Sequence, residues 1–137
     1  IKKIKAKSKI VIMDCCYSGD FRMSQSVKMD MEKTVDDFAG HGIAVMASSA
    51  SDEKSWLGVG GTHSLYTGIL TTAMTVNRKI RQGRVSLADI NEEVKQLIKI
   101  WNMKNPDRNQ HPIYRTSLDG TIFFQVEEYK TYQSLQV

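Results

Sequence analysis

The sequence predicts an α/β fold with a mostly parallel sheet flanked by helices. Two short apolar runs, IVIM at 10–13 and the core of GIAVMASS at 42–49, are typical of strands buried on both faces. Apolar residues recur at helical spacing over 64–77 and 86–101. TIFFQV at 121–126 predicts a last strand. Because three strands make a thin sheet for this class, we expect the chain to hold only part of the fold.

The apolar residues of the first strand end before Asp14, and polar or reactive side chains follow. Sites in open parallel sheets form just beyond the carboxyl ends of strands, so residues 14–19 lie where a site is expected. The next segment, 20–40, has scattered methionines, both signs of charge and no clean period. We interpret it as a long loop with a short helix at 31–38. Loops of this length are usually functional or disordered.

The second strand is followed by a loop and then by the helices. The loop begins with SASDEKSW and holds three glycines, Gly58, Gly60 and Gly61. The first helix is predicted despite its four threonines, because five apolar residues share one face: Leu65, Ile69, Leu70, Ala73 and Met74. Ser86 and Asp89 form a capping-box-like start to the second helix. We expect residues 102–112 to be a polar loop.

Composition and length indicate a globular domain or part of one. The chain has 137 residues, 41% of them hydrophobic and 25% charged, which excludes collagen, low-complexity disorder and coiled coil. Its apolar runs are far shorter than the roughly 20 residues that a membrane span needs. No charged region leads into a long apolar stretch, so we expect no secretory signal. The first residue is Ile, and we therefore expect the chain to be a fragment.

Much of the net charge of +4 comes from the lysines of IKKIKAKSK at the start of the chain. Such a cluster can form a nucleic-acid or acidic-lipid patch, or it can be a solvated lead-in to the first strand. No aromatic residues interleave with the lysines, and no nucleic-acid-binding signature follows. We favour the solvated lead-in and expect neither nucleic acid nor membrane as a partner.

The chain has two cysteines, and they are adjacent, Cys15 and Cys16. Neighbouring cysteines rarely form a stable disulfide with each other, so no disulfide framework is available. This composition favours a reducing compartment, which indicates the cytoplasm. Without a second pair or a nearby histidine, a zinc site is also not expected.

A cysteine directly beyond a buried strand can be a nucleophile or a buried structural residue. A thiol becomes a nucleophile when a histidine takes its proton, while free cysteine is also among the most buried residue types. Gly19 allows close approach of a ligand to the backbone. The crowding of Asp14, Cys16, Ser18 and Gly19 at one strand end favours the nucleophile.

The stretch DCCYSGD at 14–20 resembles the signature of caspase-like cysteine peptidases, above all metacaspases and bacterial caspase homologues. That signature is Asp, any residue, Cys, His or similar, Ser, Gly, and Tyr17 stands at the His position, which has no catalytic role. Four later segments resemble the family in order: GIAVMASSASDEKSW, GTHSLYTGILTTAM, GRVSLADINEEVKQLI and QHPIY. The strand IVIMD also resembles that of receiver domains, but the Met-Pro turn of receivers is missing.

The resemblance covers residues 8–126 and implies the C-terminal portion of a caspase-like domain over 1–126, with 127–137 as a tail. It implies a cysteine endopeptidase whose nucleophile is Cys16 and whose histidine lies in a His-Gly motif upstream of the cysteine. This chain holds no such upstream motif, so the histidine is expected on a preceding segment or a separate chain. His41 resembles the motif in FAGHG but follows the cysteine. His63 is expected to open a helix, and His111 precedes Pro112 in a loop.

The residue two positions before the nucleophile is Asp14, which in metacaspases belongs to an acidic pocket for Arg or Lys. A carboxylate there attracts a basic side chain and repels an acidic one. Asp52 looks like the second carboxylate of that pocket, with Glu53 as the substitute if the alignment shifts by one. A solvated loop charge is the other interpretation of Asp52. The implied partner is a peptide or protein with a basic residue at the cleaved bond.

Three further expectations follow from the resemblance. The segment 20–41 is a candidate processing linker, with Lys28 and Lys33 ranked above Arg22 as sites of self-cleavage. No cofactor is expected, although some metacaspase relatives need calcium and four acidic residues lie together without EF-hand spacing: Asp30, Glu32, Asp36 and Asp37. The alternative function is a catalytically inactive caspase-like scaffold or sensor.

Overall fold

The fold is that of a computed structural model, which describes residues 3–14, 33, 35–36, 40–50, 53, 55–58 and 60–126. In chain order its elements are β1 (Lys9–Met13), β2 (Ile43–Ala47), α1 (Leu65–Thr75), β3 (Arg84–Ser86), α2 (Leu87–Lys104), a short 3₁₀ helix (Pro106–Arg108), β4 (Ile113–Thr116) and β5 (Phe123–Gln125). Strands and helices are thus combined as the predicted α/β class requires.

Within the described residues, three strands form the main sheet in the order β1-β2-β4. β1 runs parallel to β2, with Lys9 opposite Ile43 and Met13 opposite Ala47. β2 is buried at every position, as expected for the continuous apolar run of a strand with neighbours on both sides. Because the pairing is parallel, both strands end at the same side of the sheet. We call this side, beyond Met13 and Ala47, the carboxyl edge.

The third strand of the main sheet is not the predicted one. β4 pairs antiparallel with β2, whereas residues 121–126 contribute β5 to a separate two-stranded sheet with β3. The expectation that 121–126 completes the main sheet is therefore wrong. Only Ile113 of β4 is buried, so this strand lacks the continuous apolar run that identifies β1 and β2. Its place is set by pairing with β2 rather than by its own pattern.

The β3–β5 sheet ties the end of the described chain to the start of α2. The Leu87 N–H donates to the Ile122 carbonyl at 2.9 Å, and the Val126 N–H donates to the Gly83 carbonyl at 2.7 Å. Gly83 has a φ of 69°, and a Cβ there would lie 3.4 Å from the Val126 carbonyl oxygen. Glycine is favoured at this turn because side chains rarely adopt such a conformation.

The two faces of the main sheet pack against separate hydrophobic clusters. Alternate residues of β2 divide between them, with Ala44 and Met46 in the larger cluster and Val45 in the smaller. The larger cluster takes its other buried residues from the helices and the β3 region: Leu65, Tyr66, Leu70, Ala73, Ile80, Val85, Leu87, Ile90, Val94 and Ile98. Both helices therefore cover one face of the sheet.

The smaller cluster covers the opposite face and includes Val35, which is fully buried. Lys33, Val35 and Asp36 are helical, in agreement with the short helix predicted at 31–38. The other residues of that prediction lie outside the described part of the chain. Val35 packs in the smaller cluster, and its burial anchors this helical stretch against the sheet.

The longer helix, α2, begins where its capping pattern predicts and ends later than expected. The Asp89 N–H donates to Ser86 Oγ at 3.1 Å, and the Ser86 hydroxyl donates to Asp89 Oδ2 at 2.6 Å, which lowers the pKa of that carboxyl. The helix continues past Trp101 to Lys104, where the side chain of Asn105 donates to the Trp101 carbonyl at 3.0 Å.

None of the described helices is long and apolar enough to cross a membrane.

Among the described residues, β1 pairs with β2 alone and forms one edge of the main sheet. Ile12 is 50% exposed, and the other β1 residues are only partly buried. Parallel strands are normally covered on both faces and paired on both sides. β1 thus has the sequence of an interior strand, but in the described part of the chain it presents an unpaired backbone edge and an exposed apolar side chain.

Candidate functional site

The carboxyl edge of the main sheet carries polar residues at the end of each parallel strand. Asp14 follows β1 and is exposed. Ser48 and Ser49 follow β2 and are buried. The Ser48 N–H donates to the Met13 carbonyl at 2.9 Å, so the strands stay paired up to Asp14. The backbone position of Asp14 is therefore fixed by the pairing of β1 with β2.

The side chain of Asp14 is held by the first turn of α1. Its Oδ2 accepts hydrogen bonds from the hydroxyls of Ser64 and Thr67. Ser64 is the N-cap of α1 and also accepts the Thr67 N–H at 3.0 Å. Burial, and to a lesser degree the Asp14 charge, raises the pKa of Tyr66 well above its usual range. The Tyr66 phenol is therefore harder to ionise than that of a free tyrosine.

A carboxylate on the loop after β2 ties that loop to the start of β4. Glu53 Oε2 accepts the N–H of His111 at 2.6 Å and the N–H of Ala50 at 3.4 Å. Glu53 Oε1 pairs with His111 Nδ1. Both oxygens of Glu53 are therefore occupied by contacts within the protein. These contacts hold the loop against the residues before β4, and we interpret Glu53 as a structural carboxylate.

Gln110 lies at the centre of a buried hydrogen-bond network at the same edge. Its Nε2 donates to the Ser48 carbonyl at 2.7 Å, and its Oε1 accepts the Trp56 N–H at 3.4 Å. Its backbone exchanges two bonds with the Asn102 side chain, at 3.0 and 2.9 Å. The Trp56 carbonyl in turn accepts the Leu65 N–H at 2.7 Å. Gln110 thus connects the end of β2, the 53–58 loop, α2 and the start of α1.

We expect Gln110→Ala to lower the free energy of unfolding by about 2–4 kcal/mol, because it leaves the Ser48 carbonyl and the Trp56 N–H buried without this partner. Urea unfolding monitored by tryptophan fluorescence measures the change. Gln96→Ala is the matched control, since Gln96 is exposed and makes one weak bond of 3.4 Å to Glu92. Equal stability of the two variants would contradict the central role of Gln110.

A groove of about 460 Å³ lies between α1 and α2. Its walls are mostly apolar, with Ile69, Leu97 and Ile100 among the lining residues and Lys104 at its rim. Ser64 also lines it. One wall of the groove is therefore the helix turn that holds Asp14.

The three histidines occupy different places. His41 precedes β2, whose five residues alone span about 16 Å between it and the carboxyl edge. Its Nδ1 lies 3.4 Å from Asp119 Oδ2, and both side chains are exposed. This position argues against His41 as a base for a group beside Asp14. His63 directly precedes the N-cap Ser64, as expected for a residue that opens a helix.

Several predicted residues lie outside the described part of the chain: Cys15, Cys16, Asp52, Arg22, Lys28, Asp30, Glu32 and Asp37. Of the four acidic residues considered for calcium, the structure describes Asp36, whose Oδ1 lies 3.8 Å from Arg115 Nε. No group of three potential metal ligands occurs among the described residues. Calcium dependence stays a prediction.

A family model of the caspase domain matches residues 1–123. The chain belongs to the caspase family. Comparisons with curated proteins and with solved structures gave no match. Family membership supports a cysteine-peptidase kind of function, and it confirms the resemblance to caspase-like peptidases. The mixed sheet with two helices agrees with part of a caspase-like fold.

The sequence of this caspase-family chain predicts a site role for Asp14 but not for the residues that hold it. Ser64 and Thr67 were assigned to a helix without a role in the site. A serine such as Ser64 before an apolar helical pattern is an N-cap signal, but a cap does not reveal which distant carboxylate its hydroxyl also contacts. Gln110 was assigned to a polar loop, since burial of a polar side chain has no local pattern.

Proposed function

We propose that the chain is the C-terminal portion of the catalytic domain of a cysteine endopeptidase that cleaves after Arg or Lys. Cys16 is the nucleophile of a Cys–His dyad, and the histidine belongs to an upstream segment or chain. The observation that carries the specificity is the Asp14 carboxylate, which is exposed at the carboxyl edge two residues before Cys16. The family match supports the chemistry.

The charge of Asp14 supports selection of a basic side chain. In a partly desolvated pocket, a carboxylate attracts a guanidinium or ammonium group and repels the carboxylate of an acidic substrate. Asp52 is proposed as the second pocket carboxylate. The contacts of Glu53 favour this choice, because both Glu53 oxygens already bond to His111 or Ala50.

The proposed reaction is acyl transfer through a thioester. The histidine takes the Cys16 proton, and the thiolate attacks the carbonyl carbon of the scissile bond. The resulting oxyanion is stabilised by backbone N–H donors, for which the Cys16 N–H is one candidate. The C–N bond then breaks as the histidine returns the proton to the leaving amine. Water hydrolyses the thioester and restores the thiol. We propose no cofactor, because these groups supply every proton and electron pair.

The partner that carries the histidine is proposed to add to the open edge of β1. Two features of β1 support this: its unpaired backbone edge among the described residues, and the 50% exposure of Ile12. A further parallel strand would pair with the backbone and help to cover the apolar side chain. The peptidase would then assemble its dyad across β1.

Turnover of an Arg-containing peptide by the protein with its upstream segment tests the proposed function. We expect activity with that segment, none from this chain alone, and little change in His41→Ala and His111→Ala. Loss of activity in His111→Ala with unchanged stability to urea would instead make His111, which lies at the carboxyl edge, the base. No turnover of any basic peptide would favour the alternative, an inactive scaffold or sensor.

The cytoplasm is the proposed location, since the cysteines form no disulfide framework.

We expect self-cleavage within segment 20–41, because it holds the basic residues that the proposed pocket accepts. We rank Lys28 above Lys33, since Lys33 is helical and lies two residues before the buried Val35, whereas a protease needs an extended strand. Incubation of wild type beside Cys16→Ala, followed by mapping of new N-termini, measures it. An intact wild type that still turns over a basic peptide would contradict self-processing.

The same incubation with a calcium chelator tests whether the protein needs calcium for activity.

A further inference from the structure

The threonines of α1 differ in where their hydroxyls point. Three of them bond back to carbonyls of their own helix: Thr71 to Thr67 and Gly68, Thr72 to Gly68, and Thr75 to Thr71, all at 2.8–3.0 Å. This is the usual behaviour of threonine in a helix. Thr67 is the exception, because its hydroxyl leaves the helix and donates to Asp14 Oδ2.

Ser64 also makes two bonds, which use its one hydroxyl proton and one of its lone pairs. It accepts the Thr67 N–H as the N-cap and donates its single proton to Asp14 Oδ2. Asp14, Ser64 and Thr67 thus form a closed ring of three hydrogen bonds. The ring fixes the Asp14 carboxylate relative to α1, whereas β1 fixes its backbone.

Both hydroxyls donate to the same oxygen of Asp14. Oδ2 has two lone pairs, and the two donors use both. Among the described residues, Oδ1 receives no hydrogen bond. Within the part of the chain that the structure describes, one carboxylate oxygen is therefore occupied, and the other is left for a donor from outside.

We propose that Ser64 and Thr67 are positioning residues for specificity, which orient Asp14 so that its Oδ1 meets the cationic group of the substrate. The inference rests on the proposed function and deepens it. A carboxylate without these bonds would rotate about its side-chain bonds. Ordering it when the substrate binds would then cost part of the binding free energy. The two hydroxyls remove that loss before the substrate binds. Neither residue touches the reacting bond, so both act through Asp14.

Thr67→Val tests the inference, because valine keeps the shape of threonine and removes the hydroxyl. The assay is turnover by the protein with its upstream segment of two peptides, one with Arg and one with neutral citrulline before the cleaved bond. We expect the ratio of kcat/KM for Arg over citrulline to fall about tenfold, with citrulline turnover little changed. Thr67→Ser restores the hydroxyl and should restore the ratio.

Thr71→Val is the matched control, since it lies one turn further along α1 and its hydroxyl bonds only to backbone carbonyls. It should leave the ratio unchanged. An equal loss for both peptides in Thr67→Val would mean a structural role and overturn the inference, as would an unchanged ratio. A wild type that does not prefer Arg over citrulline would overturn the proposed function itself. The two failures are therefore distinguishable.

Discussion

We expect Cys16→Ala to lower turnover of a basic peptide by about 10⁴-fold or more, because the nucleophile forms the covalent intermediate and nothing replaces it. Cys15→Ala should keep most of the activity. We expect only one of the two thiols to meet the substrate, because adjacent side chains point to opposite sides wherever a chain is extended. The family signature assigns that role to Cys16. Steady-state kinetics of the two variants beside wild type measure the difference.

Covalent labelling separates the two thiols independently of turnover. A peptide with Arg before an electrophilic group should form an adduct with Cys16, located by mass spectrometry of the digested protein. The Cys15→Ala variant serves as the matched control, since it removes a thiol at the adjacent position. An adduct on Cys15 alone, or full activity in Cys16→Ala, would contradict the assignment.

The fold could be predicted where burial leaves a local pattern. The apolar runs of β1 and β2 identified two parallel strands, and the spacing of apolar residues in α2 identified a helix that buries one face. β4 was not predicted, because only Ile113 of its four residues is buried and its pairing with β2 is a tertiary property. β5 was predicted as a strand, but a strand pattern does not specify its partner.

The candidate site divides in the same way. The pattern around Asp14 predicts a site at the end of β1, since the end of a buried strand is visible in the sequence. The contacts of Asp14 with Ser64 and Thr67 join residues separated by 50 and 53 positions, and no local signal encodes them. Gln110 is similar, because it bonds to the Ser48 carbonyl across 62 positions. Such contacts follow from the packing of α1 and α2 on the sheet.

The charge of Asp14 should dominate the choice of substrate. We expect Asp14→Asn to lower kcat/KM for peptides cleaved after Arg by about 30–100-fold, the cost of losing one charged hydrogen bond. Asparagine has the same shape, and its amide oxygen can still accept from Ser64 and Thr67. The substitution therefore removes the charge and spares the fold. A peptide library cleaved by wild type should show Arg and Lys at the cleaved position and exclude Asp.

The rate of Cys16 alkylation by iodoacetamide should change little in Asp14→Asn, since this small neutral reagent does not use the pocket. That contrast separates loss of substrate attraction from damage to the nucleophile. Asp119→Asn is the matched control, because Asp119 is an exposed acid that pairs with His41, on the far side of β2 from the carboxyl edge. It should leave both rates unchanged. A preference for Asp at the cleaved position, or equal losses in Arg turnover and alkylation, would contradict the role of Asp14, because a pocket carboxylate acts on the substrate and not on the thiol.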